Sequence, residues 1–439
     1  MTPEPSRTPD PNSIDLDSAA LGGIGSGRRV GIAVVGLGGA VATTAAAGLE
    51  LLRLGLSGEE GLPLAGTPGL VPYSDLVIGG WDLSSDDLAT AAEQHGVLDM
   101  HQLAAATPGL SKIRPWAASG NAEFCRNVVG ENVLDSNVHG STIDLDQRSS
   151  GLRAEIDSLR ADLRRFRDDA GLDSVVVVNL ASTERTPDPA SPALASIDAF
   201  EAGLDAGDPA ISPAMLYAYA AIVEGAPYAN FTPSLAADVP ALRDLAYRYG
   251  VPVAGKDGKT GQTMMKTVIA PALRSRALKV EGWYSTNILG NRDGLALDDP
   301  ASLASKIGTK GKVLDSMLGY EVRDHVVRID YYRPRGDQKE AWDNIDVVGF
   351  LGQRMQLKID FLCRDSVLAA PLALELARLL DLASRRGEAG PQEQLGYFFK
   401  APMTVDPAAE PLHAMHAQEQ VLQDWLADAP PYPTAPVRA

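Results

Sequence analysis

Apolar positions along the chain fall into two patterns. Arg29-Val-Gly-Ile-Ala-Val-Val-Gly36, Asp75-Leu-Val-Ile-Gly-Gly-Trp-Asp82, Ser174-Val-Val-Val-Val-Asn179 and Pro252-Val-Ala-Gly255 carry no polar residue between their ends. Continuous short runs of this kind suit strands buried on both faces of a parallel sheet. Between them, Ala40 to Leu52, Leu152 to Phe166 and Pro213 to Val223 read as helices, and residues 88–170 read as mainly helical. Strand and helix thus alternate up to residue 255, which predicts a doubly wound half.

The pattern changes after residue 278. Leu278-Lys-Val-Glu-Gly-Trp-Tyr-Ser-Thr286, Val326-Val-Arg-Ile-Asp-Tyr-Tyr332, Val347-Val-Gly-Phe-Leu-Gly352 and Met355-Gln-Leu-Lys-Ile-Asp-Phe-Leu-Cys363 mix apolar, aromatic and polar residues. Several such runs close together predict a second, mixed or antiparallel sheet. A helix is expected from Val367 to Arg386. Residues 1–27, rich in Pro, Ser, Asp and Gly, read as a disordered tail, and 404–439 as a C-terminal tail.

A net charge of −18 disfavours nucleic-acid binding through a broad basic face. No stretch of about 20 residues is continuously apolar, so no membrane partner is expected. Cys125 and Cys363 are the only cysteines, and the chain does not open on a signal-peptide pattern, which points to a reducing cytoplasm. Lysine is scarce, eleven against twenty-eight arginines, and ten of the eleven lie from Lys256 onward. Either the composition simply favours arginine, or lysine is kept where a compact or proton-exchanging cation is needed.

The densest such stretch is Gly255-Lys-Asp-Gly-Lys-Thr-Gly-Gln-Thr-Met-Met-Lys266. Glycines let backbone N–H groups converge, hydroxyls add donors, lysines add charge, and a helix opening near Thr263 aims its positive end at the same place. The segment reads as an anion cradle, with a solvated turn as the alternative. It is not a nucleotide P-loop, because Val253 stands where that motif needs glycine. Near the start, Gly36-Leu-Gly38-Gly39 links a strand to a helix as a dinucleotide-binding turn does, although Val41 takes the third glycine position. Asp82 ends the next strand and reads equally as a ribose ligand or a helix N-cap. Polar residues after Asn179 sit at a strand's carboxyl end, where open α/β sheets bind ligands. His95, His101 and His139 lack metal-ligand spacing, and His413 and His416 are too isolated to argue for metal.

In order along the chain, GLGG, GGWD, NLASTE, GKDGKTGQT, WYSTNILGNRDG, the Ser305-Lys306 pair with Lys310 four on, VRIDY, GDQKEAWD, FLCRDSVLAAPL and YFFKAP resemble myo-inositol-1-phosphate synthases over residues 28–403. The chain departs from the family after GLGG, with Ala40, Val41 and Ala42 where the family reads Asn, Asn and Gly. The resemblance implies a cytoplasmic homotetrameric isomerase that makes 1D-myo-inositol 3-phosphate from D-glucose 6-phosphate. Its steps are NAD-dependent oxidation, enolisation, intramolecular aldol cyclisation and reduction. It implies an α/β fold: a Rossmann-like NAD-binding domain from residues 28–263 plus 367–403, and an inserted α+β catalytic and tetramerisation domain at 264–366. By motif position, Lys306, Lys339 and Lys400 resemble the catalytic lysines, with Asp257, Asp293 and Asp365 orienting them or shuttling protons. Gly36, Gly38, Gly39, Ala40, Val41, Asp82, Asn179, Ser182, Thr183, Asp365 and Ser366 would hold NAD. Thr260, Gly261, Gln262, Thr263, Leu289, Asn291, Lys310 and Lys339 would hold the phosphate. Singly, Asp293 also reads as a turn, Asp365 as a helix N-cap, and Lys306 with Lys310 as an exposed i,i+4 pair. A monovalent or a divalent cation is left open. The competing readings are a related cyclase for another sugar phosphate and a noncatalytic sugar-phosphate sensor.

Overall fold

A computed structural model describes residues 27–120, 124, 151–290 and 310–428, with the side chains of 310–312 left aside. The first sheet has seven strands: β1 (Val30–Val35), β2 (Leu76–Asp82), β3 (Trp116–Ala117), β4 (Ser174–Asn179), β5 (Tyr228–Asn230), β6 (Pro252–Gly255) and β11 (Gly390–Pro391). They run parallel in the order β11-β6-β5-β4-β1-β2-β3. The order reverses between β1 and β4, which opens a crevice at their carboxyl ends. The four continuous apolar runs of the sequence are β1, β2, β4 and β6, and helices cover both faces. One face packs on α1 (Ala40–Arg53), α2 (Leu88–His95) and α3 (Met100–Leu110). The other packs on α4 (Leu152–Ala170), α5 (Ile197–Ala206), α6 (Pro213–Val223) and α7 (Pro240–Tyr249). Gly80 in β2 lies so close to β1 that a Cβ there would stand 2.0 Å from the Val34 carbonyl oxygen. No larger residue fits that approach.

Helix α8 (Gly261–Ser275) leads out of the first sheet to the second, which contains β7 (Lys279–Leu289), β8 (Asp324–Tyr331), β9 (Gln338–Val348) and β10 (Arg354–Arg364). Their order is β10-β9-β7-β8, with β7 and β8 parallel and the other pairs antiparallel. Trp283, Val280, Ile345 and Val347 pack beneath α8 and α9 (Lys310–Leu318). Helix α10 (Asp365–Arg385) begins at the end of β10 and returns to the first core, burying Ala373, Leu376, Leu379 and Leu380.

Three sequence expectations change. Residues 347–352 do not form a strand of their own: β9 ends at Val348 and a tight turn follows, with Leu351 at φ 60°. The stretch expected as a tail from 404 contains α11 (Met415–Ala427), which buries Gln418, Leu422 and Leu426. Residues 88–170 carry α2, α3 and α4, but a short edge strand, β3, intervenes. The expected N-terminal tail lies outside the described residues except for Gly27. Among the described residues no helix is long and apolar enough to cross a membrane.

Candidate active site

The crevice between β1 and β4 is built by the glycine turn. Gly36 has φ +86°, and a Cβ there would meet the Ala181 Cα at 2.9 Å, so only glycine keeps β1 and the loop after β4 this close. Gly38 N–H donates to Asp82 Oδ2 at 2.7 Å, and Asp82 Oδ1 accepts from Ser84 N–H at 2.9 Å. Of the two readings of Asp82, the helix cap fails: Asp87 caps α2, accepting from Thr90 N–H. Gly39 is the N-cap of α1 with no side-chain cap, and Ala40 and Val41 open that helix. Thr43 and Thr44 turn their hydroxyls back onto the Gly39 and Ala40 carbonyls, so neither supplies the polar group missing from Ala40–Ala42. Backbone N–H groups at a helix start remain as the turn's donors. Asn179 ends β4 and accepts from Ala181 N–H, while Ser182 and Thr183 follow half-buried. His95, which sequence spacing left unassigned, places Nε2 2.8 Å from the Gly38 carbonyl oxygen. No local signal could reveal a contact 57 residues apart. Glycine approach, helix start and acid at the end of β2 together fit a dinucleotide.

The second part of the site is a zipper between two motifs. Lys256 N–H donates to Ala401 O at 2.9 Å, Lys400 N–H to Asp257 O at 2.7 Å, and Lys259 N–H to Phe398 O at 2.8 Å. The GKDGKT and YFFKAP segments, some 140 residues apart, thereby form one ladder. Across it the Lys400 ammonium donates to Asp257 Oδ1 at 2.8 Å. Asp257 holds φ +61°, a conformation its surroundings must maintain.

Thr260 is the N-cap of α8, and its hydroxyl donates to Asp365 Oδ1 at 3.0 Å. Lys339 Nζ lies 3.5 Å from Asp365 Oδ2, and a Cβ on Gly261 would be 4.0 Å from that same nitrogen. Asp365 opens α10, and Ser366 Oγ donates to the buried Asp337 Oδ1 at 2.6 Å. Burial is the largest influence on Lys339 and pulls its pKa down, but Asp365 and other acidic neighbours outweigh it and leave it above the ordinary value. Lys339 is therefore a held cation. Burial, with Asp365 beside it, raises the Asp337 carboxyl.

A cleft lies against the α8 start, lined by Asp257, Gln262, Thr263, Lys266, Leu314 and Lys400 among others. Gln262 faces it with both ends of its amide engaged, Oε1 accepting from Asn287 Nδ2 at 2.6 Å and Nε2 donating to the Trp342 and Thr286 carbonyls at 3.4 and 3.5 Å, so its backbone N–H is the group available to a phosphate. Leu289 ends β7 and accepts from Tyr332 N–H, joining neither cluster through a described hydrogen bond. The lysines of the cradle do not converge. Lys256 pairs with Asp238 at 2.6 Å, Lys259 donates to Gln418, and Lys266 Nζ lies 2.8 Å from His325 Nε2. Each half-buried or buried ammonium needs its own acceptor, and the turn sends them apart. Lys266, the last residue of the cradle and one helical turn after Thr263, is the one of the three that lines the cleft; burial pulls it down to about 8 against Asp343. Lys306, Asp293 and Asn291 lie outside the described residues, as does the side chain of Lys310. Among the described residues no cluster of three or more His, Cys, Asp or Glu could hold a metal ion.

The sequence model of the myo-inositol-1-phosphate synthase family matches residues 62–427. Inositol-3-phosphate synthase 1 of Bacteroides thetaiotaomicron is 39% identical over 423 residues, covering 91% of this chain and 95% of that protein. The human inositol-3-phosphate synthase 1 is 33% identical over 405 residues, covering 87% and 69% respectively. The crystal structure of inositol-3-phosphate synthase from Caenorhabditis elegans matches with a TM-score of 0.82 at 27% identity, over 93% of this chain and 87% of that one. A synthase-related protein from Thermotoga maritima matches with a TM-score of 0.75 at 25% identity, over 91% and 99%. The chain belongs to the myo-inositol-1-phosphate synthase family.

Proposed function

We infer that this member of the myo-inositol-1-phosphate synthase family is an inositol-3-phosphate synthase, an NAD-dependent isomerase acting on D-glucose 6-phosphate. One observation carries the reading: the Asp257–Lys400 and Lys339–Asp365 pairs flank the start of α8, beside a dinucleotide crevice.

When bound, NAD supplies the hydride acceptor and donor that make the isomerisation redox-neutral. Its pyrophosphate would meet the Gly36–Gly39 turn and the N–H groups of Ala40 and Val41, and its ribose would meet Asp82. Asn179, Ser182, Thr183, Asp365 and Ser366 would border the rest. The substrate phosphate would accept from the N–H groups of Gly261, Gln262 and Thr263, where the helix dipole also favours an anion. Lys339, kept protonated by Asp365, would stabilise the enolate and the alkoxide that develop during cyclisation. The Lys400 ammonium, oriented by Asp257, suits a proton transfer at a sugar oxygen or carbon. Lys306, Asp293, Asn291, Leu289 and Lys310 take their roles from motif position.

We also propose that residues 28–263 with 367–403 form the cofactor half and 264–366 the catalytic and assembly half, in a cytoplasmic homotetramer. Strand β10 supports assembly: it edges its sheet and exposes Met355, Leu357 and Leu362, with Phe350 beside it.

The test is phosphorus NMR with chiral product analysis after incubation with glucose 6-phosphate and NAD, alongside Lys400→Met. Inositol phosphate without net NADH, lost in the variant, is expected. Tight NAD binding without that product would sink the assignment.

A further inference from the structure

We infer that helix α11 is a working part of the active site, and that Gln418 and Lys259 are positioning residues for the Asp257–Lys400 pair. Lys259 occupies the rung of the ladder next to that pair: its N–H bonds Phe398 O, while Lys400 N–H bonds Asp257 O. Its side chain leaves the cleft and donates to Gln418 Oε1 under the Tyr397 ring, whose centre is 5.7 Å away. Both partners are 3% exposed. Gln418 also donates through Nε2 to Gly396 O at 3.0 Å and Leu412 O at 2.6 Å. One amide thus ties together α11, the segment leading to Lys400, and the segment carrying Asp257.

A buried ammonium and a buried amide are costly to strand, so this triangle holds firmly while complete and fails as a unit. Burial pulls Lys259 down to about 7 and, with Lys259 beside it, pulls His413 down to about 4, as an apolar setting would. Neither Lys259 nor Gln418 borders the cleft, whereas Asp257 and Lys400 do. Their influence therefore passes through the backbone of the ladder. Asp257, at φ +61°, is the residue that most needs such support.

The turnover arm of the test rests on the proposed synthase activity, while the labelling arm does not. Gln418→Leu and Lys259→Met in the full chain would be pulsed with acetic anhydride, and acetylation of Lys400 read by peptide mass spectrometry against exposed Lys279. Lys400 should label several-fold faster in both variants. With glucose 6-phosphate and NAD, kcat should fall about tenfold or more, as for a small misplacement of a catalytic group, while KM stays within about twofold. Gln418→Glu keeps an acceptor for Lys259 but loses the donors to Gly396 and Leu412, so the triangle is again incomplete; Lys400 should label several-fold faster there too, and this variant serves if Gln418→Leu does not fold. Lys400 reactivity unchanged in a folded Gln418→Leu, Lys259→Met or Gln418→Glu chain overturns the inference. A parent chain without turnover, but with the labelling as expected, fails the synthase reading instead.

Discussion

Helix α10 carries two clusters of buried charge that behave differently. In its middle, Glu375 accepts from Tyr73 Oη, Leu64 N–H and Arg378, and Arg378 also donates to the carbonyls of Val71 and Leu64. Both charged residues are almost wholly buried, and every one of these bonds joins α10 to itself or to the residues 64–73 that pack in the first core. At its start, Asp365 accepts from the Thr260 hydroxyl at 3.0 Å and lies 3.5 Å from Lys339, and Asp337 keeps Oδ2 buried without a hydrogen bond. A network that closes all its bonds rigidifies a core, whereas one with capacity left over can accept a ligand. The two ends of one helix thus separate stability from chemistry.

Breaking the closed network should have the largest effect. Arg378→Met leaves the buried Glu375 without its ionic partner, a situation that costs about 3–5 kcal/mol. Urea melts should show that loss, while kcat of the folded fraction stays within about twofold. The open cluster should respond the opposite way. Lys339→Met removes one preorganised cation, so kcat should fall by about 10²–10³, or roughly 3–4 kcal/mol. Its melting midpoint should stay close to the parent's. A variant of either kind that lost stability and turnover together would erase the distinction.

The distinction also explains what the sequence could and could not reveal. Strands β1, β2, β4 and β6 were legible because burial on both faces leaves no polar residue in them. Strand β9 was not, because Lys339, Glu340, Asp343 and Asp346 interrupt its apolar positions, and the buried Asp343 takes its donors from Trp283 and Ser285 on another strand. The motif order located Lys339, Lys400, Asp257 and Asp365, whose pairing the fold then supplied. What stayed hidden was direction. Lys256, Lys259 and Lys266 look equivalent in a glycine-rich run, yet Asp238, Gln418 and His325 draw them three ways, and those acceptors lie 18, 159 and 59 residues distant.

Glu184 offers a smaller effect and a pH handle. It lies just beyond β4, buried, with Oε1 accepting from Ala214 N–H at 2.9 Å. Burial pushes its carboxyl up to about 7, against the pull of Ser212 and that N–H. A raised pKa means the folded chain binds the proton more tightly. The resulting stability is complete below about pH 4.5, the unfolded value, and is lost as pH rises through about 7. Glu184→Gln has no proton to lose. Relative to the parent it should gain on the order of 2–3 kcal/mol between pH 4.5 and 8, read from urea midpoints at each pH. A constant difference across that range would mean the carboxyl is not held neutral.

The finest cut falls on Asp82, which could belong to either kind of cluster. Its two oxygens are bonded to Gly38 N–H and Ser84 N–H, so as a clasp on the glycine turn it resembles the closed network. As an acid at the end of β2 beside a dinucleotide crevice, it resembles the open one. Asp82→Asn separates the two roles, because the amide oxygen can still accept from Gly38 while the negative charge is gone. A charge-assisted bond exceeds a neutral one by about 1 kcal/mol. If the carboxylate holds the ribose diol, the variant should bind NAD several-fold to tenfold more weakly, with its melting point nearly unchanged. Fluorescence titration with NAD measures this directly. Unchanged NAD affinity in Asp82→Asn, with loss only in Asp82→Ala, would assign Asp82 to the scaffold and leave the ribose to a neighbour such as His95, whose ring already reaches the Gly38 carbonyl.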